Sequence, residues 1–237
     1  MDHLDLVRHL PRAFRRAGLE IYYSRGFHPK PGLSFGPALG LGIPSLGELL
    51  DVQLVDKLPA DEILRRLQAV SPPGIDFLEV AALTDGAPPL GRVLGQAQYA
   101  VRLPDSVSAR TAESRWNEGA PLMATRRERS DSRRPDKGNR IDVRKSIAYA
   151  RVADPEDRRL LAEKLGWPGE DDGRTLAFGL VVSAQGSARP VEVLEAFFGE
   201  DGAGEIVRTA LCANAGEGEV AGEGEVPEAG PSDTAAE

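Results

Sequence analysis

The strongest constraint in this chain is an order of periodic segments that occurs twice. In the first half Leu4, Val7, Leu10, Phe14 and Ala17 recur at helical spacing, with Gly18 as a stop and Arg8, Arg12, Arg15 and Arg16 on the opposite face. Pro11 removes the bond to the Val7 carbonyl, so a kinked or delayed helix is expected there. Strands are then expected at Leu19–Ser24 and Leu49–Val55, a helix from Pro59 with Ile63, Leu64, Leu67 and Val70 inward, and a strand at Ile75–Leu83. Helix, strand, strand, helix, strand is a βαββαβ ferredoxin-like unit lacking its N-terminal strand.

The second half repeats the order. Strand Ala97–Leu103, helix Asp105–Asn117, strands Leu122–Arg127 and Ile141–Ala150, strand Leu176–Ser183, helix Pro190–Phe198 and strand Glu205–Cys212 follow one another, with a charged helix Pro155–Leu165 inserted. The expected fold class is therefore α+β, a tandem of two ferredoxin-like units. The expected division is 1–83, a proline- and glycine-rich linker at 84–95, a second unit at 96–213 and a tail at 214–237.

Charge is distributed unevenly. The whole chain of 237 residues carries a formal −8, but residues 214–237 hold seven acidic side chains and no basic one, so the remainder is at −1. Such a tail buries too little apolar surface to offset its ordering entropy and is expected to be disordered. Within the near-neutral body, Arg8–Lys30 carries six basic residues against Glu20, and Arg126–Lys145 carries nine against four acids. Solvated faces explain such runs most simply, yet two basic patches beside an acidic tail also suit an anionic partner, with the tail as competitor. Cys212 is the only cysteine, which excludes an intrachain disulfide and a cysteine-based zinc or iron–sulfur site. No basic-then-apolar start and no apolar run of membrane-spanning length is present, so no membrane is expected and a cytoplasmic location is.

The stretch from Arg25 to Gly47 holds six glycines and four prolines and is the leading candidate site. Glycines let backbone N–H groups approach a ligand, and Arg25, His28 and Lys30 add cations beside Gly26, Phe27 and Ser34. Phe27, Leu33, Phe35 and Ile43 are expected to make the loop pack, and two readings stay open: an anion-binding loop, or a structural loop capping the sheet and stiffened by Pro29, Pro31 and Pro37. Gly186-Ser187-Ala188-Arg189-Pro190 leads into the last helix, with Ser187 as its expected cap and Arg189 beside an N-terminus that suits an anion. Asp142 and Arg144 alternate with Ile141 and Val143 as the polar face of a strand, and Arg144 joins the anion-binding candidates. His3, Asp5 and His28 are the only candidates for acid–base work. His3 and His9 are six apart and do not share a helix face, so no metal site is expected. Nucleophile-elbow, phosphate-loop, dinucleotide and cluster-binding motifs are missing, so the chain is not read as an enzyme.

The residues His3-Leu4-Asp5-Leu6, Arg15-Arg-Ala-Gly18, Ser24-x-Gly26-Phe27-x-Pro29-x-Pro31-x-Leu33-Ser34-Phe35-Gly36-Pro37, Ile141-Asp-Val-Arg144 and Gly186-Ser-Ala-Arg-Pro190 resemble the radical-SAM-linked protein family, a bacterial domain of unknown function. That family occurs alone or fused behind a cobalamin-binding radical S-adenosylmethionine (SAM) protein. The resemblance implies an accessory or substrate-binding role beside such an enzyme, with iron–sulfur cluster, S-adenosylmethionine and cobalamin carried by the partner and no cofactor in this chain. It also implies a strand ahead of the His-Leu-Asp-Leu motif. A later start than the true one, or another segment completing the sheet edge, is thus expected. Tandem ferredoxin-like units with a glycine-rich loop also look like RAMP-type CRISPR ribonucleases and RNA-binding proteins. By that analogy RNA is the alternative partner, with His3 or His28 as the acid.

Overall fold

A computed structural model describes residues 3–84, 86–126, 138–170, 172–183 and 186–213. The acidic stretch from Asn214 and the middle of the second basic patch lie outside the described residues. The fold is α+β. Its first helix, α1 (His3–Arg16), runs through Pro11 without interruption. The acceptor left without a donor there, the Val7 carbonyl, belongs to a residue that is itself 38% exposed, so water can satisfy it. Val7 therefore leaves the inward face, which consists of Leu10, Ala13 and Phe14.

Strand formation in this half is sparser than the alternation suggests. Two short antiparallel strands, β1 (Leu33–Phe35) and β2 (Leu50–Val52), pair with Ser34 opposite Asp51. The expected strand Leu19–Ser24 is reduced to isolated bridges of Ile21 with Leu54 and Tyr23 with Pro31. Helix α2 (Ala60–Gln68) follows Pro59 as expected. The stretch Ile75–Leu83 is not a strand: Phe77 and Val80 pack on Phe14, Leu19, Ile21 and Leu67, and Gln68 Nε2 donates to the Phe77 carbonyl at 2.9 Å, but no ladder forms. In a βαββαβ unit the closing strand pairs only with the first, and no described residue takes that first place. Alternation alone cannot supply a partner.

The second half has the full ferredoxin-like arrangement. A short helix, α3 (Leu90–Val93), begins where the Asp51 carboxylate accepts the Leu90 N–H at 2.9 Å, and leads straight into β3 (Leu94–Arg102). Then come α4 (Ala109–Asn117), β4 (Met123–Arg126), β5 (Asn139–Asp142), β6 (Ile147–Val152), α5 (Pro155–Leu165), β7 (Thr175–Val181), α6 (Pro190–Phe198) and β8 (Glu205–Ala213). The expected single strand Ile141–Ala150 is broken at Arg144–Ser146, a 3₁₀ turn, so β5 pairs with β4 in a separate hairpin and β6 joins the main sheet. That sheet runs β6-β7-β3-β8, antiparallel throughout. Omitting the β4–β5 hairpin and α5 as insertions, the unit's first strand lies between its third and fourth and the second lies outside the third, which is the ferredoxin-like order.

Both faces of the sheet are covered. Helices α4 and α6 lay Ala109, Ala112, Val193, Leu194 and Phe197 on Ala97, Tyr99, Val101, Leu176 and Phe178. On the other side Leu161 of α5, Trp167 and the loop residue Leu46 cover Ala100 and Val207. A central strand covered on both faces reads as a continuous apolar run, as β7 does. The outer edge of β8 is closed by the first half: Arg208 N donates to the Pro44 carbonyl and Leu46 N to the Arg208 carbonyl, each at 2.9 Å. Such cover removes an exposed pairing edge.

Candidate functional site

The glycine- and proline-rich stretch divides into a projecting hairpin and an anchored arm. In the hairpin, Ser24 N donates to the Lys30 carbonyl and Lys30 N to Ser24 Oγ, both at 2.9 Å, which closes the loop Arg25–Pro29 at its base. Gly32 N donates to the Tyr22 carbonyl at 2.7 Å and Tyr22 N to the Gln53 carbonyl at 2.8 Å, tying the base to the end of β2. Gly26 at the tip has φ 147°, a conformation that favours glycine. Phe27 was expected to pack; it stands fully exposed at 103%. Arg25, His28 and Lys30 around it are exposed as well, and so are Tyr22 and Tyr23 at the base. No carboxylate pairs with Arg25 or Lys30 among the described residues. A basic rim thus surrounds a wholly solvated aromatic ring.

The arm, residues 36–48, holds that hairpin against the second half. Gly36 packs closely on the second half: a Cβ there would sit 2.8 Å from Leu211 Cδ1, the movable end of that side chain. Beyond it lies a network centred on Arg208, which is 1% exposed. Its Nη1 donates to the Pro37 carbonyl (2.9 Å) and to the Glu48 carboxylate (2.9 and 3.0 Å), Nη2 to the Ala38 carbonyl (3.0 Å), and Nε to Tyr99 Oη (3.1 Å). The guanidinium lies 5.4 Å from the Tyr99 ring, which in turn stacks on Phe178. A register shift between Gln98 and Tyr99 leaves Thr209 as the extra residue of a bulge and seats Arg208 opposite Tyr99. Sequence reasoning missed this group. The signal available was an arginine directly after Ile206-Val207 and ahead of Ala210-Leu211 in the last strand.

The remaining sequence candidates lie apart from the hairpin. Ser34 sits in β1 on a groove of about 550 Å³ shared with Asp51, Gln53 and Thr84. Arg144 stacks on Trp116 at 4.4 Å and donates to the Ala120 and Trp116 carbonyls, so it closes the C-terminal end of α4. Ser187 is not the cap of α6; Arg189 holds that position, and its N–H donates to Glu192 Oε2 at 2.8 Å. Ser187 Oγ is buried without a hydrogen-bond partner among the described residues, while its carbonyl accepts from Arg126. The Arg126 guanidinium clasps the Glu192 carboxylate at 2.7 and 2.9 Å. Burial pushes the Glu192 carboxyl up, but Arg126 and the Arg189 N–H more than reverse this and hold it below the usual range. Glu192 thus places a carboxylate of the chain itself at this helix start. His3 and Asp5 lie in α1, and their side chains are outside what is described. His28 and His9 are exposed on separate elements. Among the described residues no three histidine, cysteine, aspartate or glutamate side chains gather as metal ligands, and no helix is long and apolar enough to cross a membrane.

Fold and site together define an α+β protein whose ferredoxin-like unit carries an anchored loop ending in an aromatic and cationic hairpin. The chain belongs to the family described as an uncharacterized protein conserved in bacteria (DUF2344), which it matches over residues 1–178. The match takes in the hairpin and Arg144 and ends within β7, ahead of Arg189 and Arg208. No curated protein and no solved structure matches the chain.

Proposed function

We propose that this protein is a non-catalytic accessory or substrate-binding protein working with a cobalamin-binding radical SAM enzyme. The observation that supports it best is Phe27, fully exposed at the tip of a hydrogen-bonded hairpin between Arg25, His28 and Lys30. Solvating an aromatic ring in this way is unfavourable in isolation, and buried aromatics ringed by polar groups dominate binding at protein interfaces. The hairpin is thus read as the element that engages the partner or presents its substrate. In this reading the iron–sulfur cluster, S-adenosylmethionine and cobalamin belong to the partner, and both proteins act in the cytoplasm.

The test is co-purification of the untagged partner with this chain, together with partner turnover. Phe27→Ala and the charge-reversed pair Arg25→Glu/Lys30→Glu are expected to lose the complex while melting like the parent. A complex of unchanged affinity in both variants removes the hairpin from the interface, and no complex with the parent chain removes the proposal. RNA binding is the second reading, and the exposed arginines of α1 favour it. A gel shift across a salt series tests it, since phosphate contacts make binding steeply salt-dependent.

A further inference from the structure

The outward face of α1 carries Arg8, Arg12, Arg15 and Arg16, all exposed, opposite the buried Leu10, Ala13 and Phe14. Arg8, Arg12 and Arg16 are four residues apart, so they line one edge of the helix at intervals of about 6 Å. Arg15 and Arg16 sit in the last turn, where the helix dipole favours cations. The dipole gives no reason for Arg8 and Arg12. Among the described side chains, which do not include Asp5, none of the four forms an ion pair, although elsewhere arginines find acidic partners, as Arg65 and Arg66 do in Glu62 and Arg102 in Asp172. Arg66, next to the C-terminal end of α1 at Gly18, shares the single Glu62 carboxylate with Arg65 and adds no negative charge to the ladder. Four like charges on 9 residues of helix call for an anionic occupant.

We infer that this arginine face docks the chain's own acidic stretch, residues 214–237. Charge complementarity carries the assignment: Glu217, Glu219, Glu223, Glu225, Glu228, Asp233 and Glu237 stand there with no basic residue among them. Reach is sufficient. The stretch follows directly on β8, which ends at Ala213, and its 24 residues span at most about 80 Å, whereas a folded body of this size has a radius of gyration of about 17 Å. A tethered occupant acts at an effective concentration of about millimolar, so the stretch screens the face from weaker anions and yields it to stronger ones. The contact is a regulator of access to α1, separate from the Phe27 hairpin.

The experiment uses the full-length chain and a fluorescent oligoglutamate peptide as probe, at about 50 mM salt, where charged groups are weakly screened. Replacing Glu217, Glu219, Glu223, Glu225 and Glu228 by glutamine is expected to tighten probe binding about fivefold or more. Adding Arg8→Gln, Arg12→Gln and Arg16→Gln to that variant is expected to abolish the gain, with an unchanged melting temperature as the check on folding. No gain on neutralising the acidic stretch overturns the inference, and so does a gain that survives loss of the arginines. A gain for oligouridylate but not for oligoglutamate assigns the face to RNA and likewise overturns the docking of an acidic segment.

Discussion

Arg208 Nη1 lies 2.9 Å from Glu48 Oε2, and the two residues are 160 positions apart in the chain. The pair joins the arm of the glycine-rich loop to the last strand of the sheet. With the Pro37 and Ala38 carbonyls and Tyr99 Oη it satisfies a guanidinium that would otherwise be buried at great expense. The hairpin bearing Phe27 thus belongs, through the residues that follow it, to the rigid part of the molecule.

Truncation of that arginine should be costly. Arg208→Ala leaves the Pro37 and Ala38 carbonyls without donors and opens a cavity against Tyr99, for an expected loss of about 3–5 kcal/mol. Arg208→Lys keeps the charge but cannot serve the two carbonyls, the carboxylate and the phenol together, and should recover only part of the loss. Urea unfolding measures both. A midpoint for Arg208→Ala equal to the parent's shows that the network does not hold the two halves together.

What could be read from the sequence follows from how local each signal is. Helices Pro155–Leu165 and Pro190–Phe198 were legible to the residue because their starts are local: a proline at the first position of each, and Asp154 accepting the Glu156 and Asp157 N–H groups of the first. Strand β7 was legible because burial on two faces leaves a continuous apolar run, whereas the 3₁₀ turn at Arg144–Ser146 that divides β5 from β6 was not. Ile75–Leu83 carries the same alternation without becoming a strand, since a strand needs a neighbour that its own residues do not encode. Phe27 and Arg208 were misjudged or missed for one reason: an apolar residue is taken to be buried and a charged one exposed, and here both are inverted.

Removing the tip ring should leave the fold intact. Phe27 is fully exposed and touches no part of the core, so Phe27→Ala is expected to change unfolding free energy by less than about 0.5 kcal/mol. Thermal melting of the variant checks this. A clear drop would mean that the ring packs in solution and would withdraw it as a contact residue.

In contrast with the partly exposed Gly47, Gly202 is buried in the turn after α6. A Cβ at this position would sit 2.6 Å from the Leu194 carbonyl oxygen and 3.0 Å from its carbon, atoms fixed in the backbone of α6. Gly202→Ala is expected to cost about 1–3 kcal/mol, because the turn after α6 must move. Gly47→Ala, where a Cβ meets nothing within 4 Å, should be nearly neutral. Equal melting temperatures for the two variants would contradict the close approach at Gly202.

The Arg126–Glu192 clasp sets a direction for acid sensitivity. Glu192 is 3% exposed, and its carboxyl is held below the usual glutamate range when folded. The folded state therefore releases the Glu192 proton more readily than the unfolded chain does. Between the two pKa values the unfolded chain binds more protons, so stability rises with pH there. The contribution is fully present above the ordinary glutamate value of about 4.3 and is lost as pH falls through the lower folded value. Asp172 shifts in the same direction because Arg102 bonds it at 2.7 Å, so the ferredoxin-like unit should weaken cooperatively in acid. In Glu192→Gln the amide can still accept the Arg189 N–H, but the charge that answers Arg126 is gone. Urea unfolding from about pH 3 to pH 7 should then show a variant less stable than the parent at neutral pH and converging on it in acid. Parallel curves for the two proteins would show that this carboxylate is not a source of the acid sensitivity.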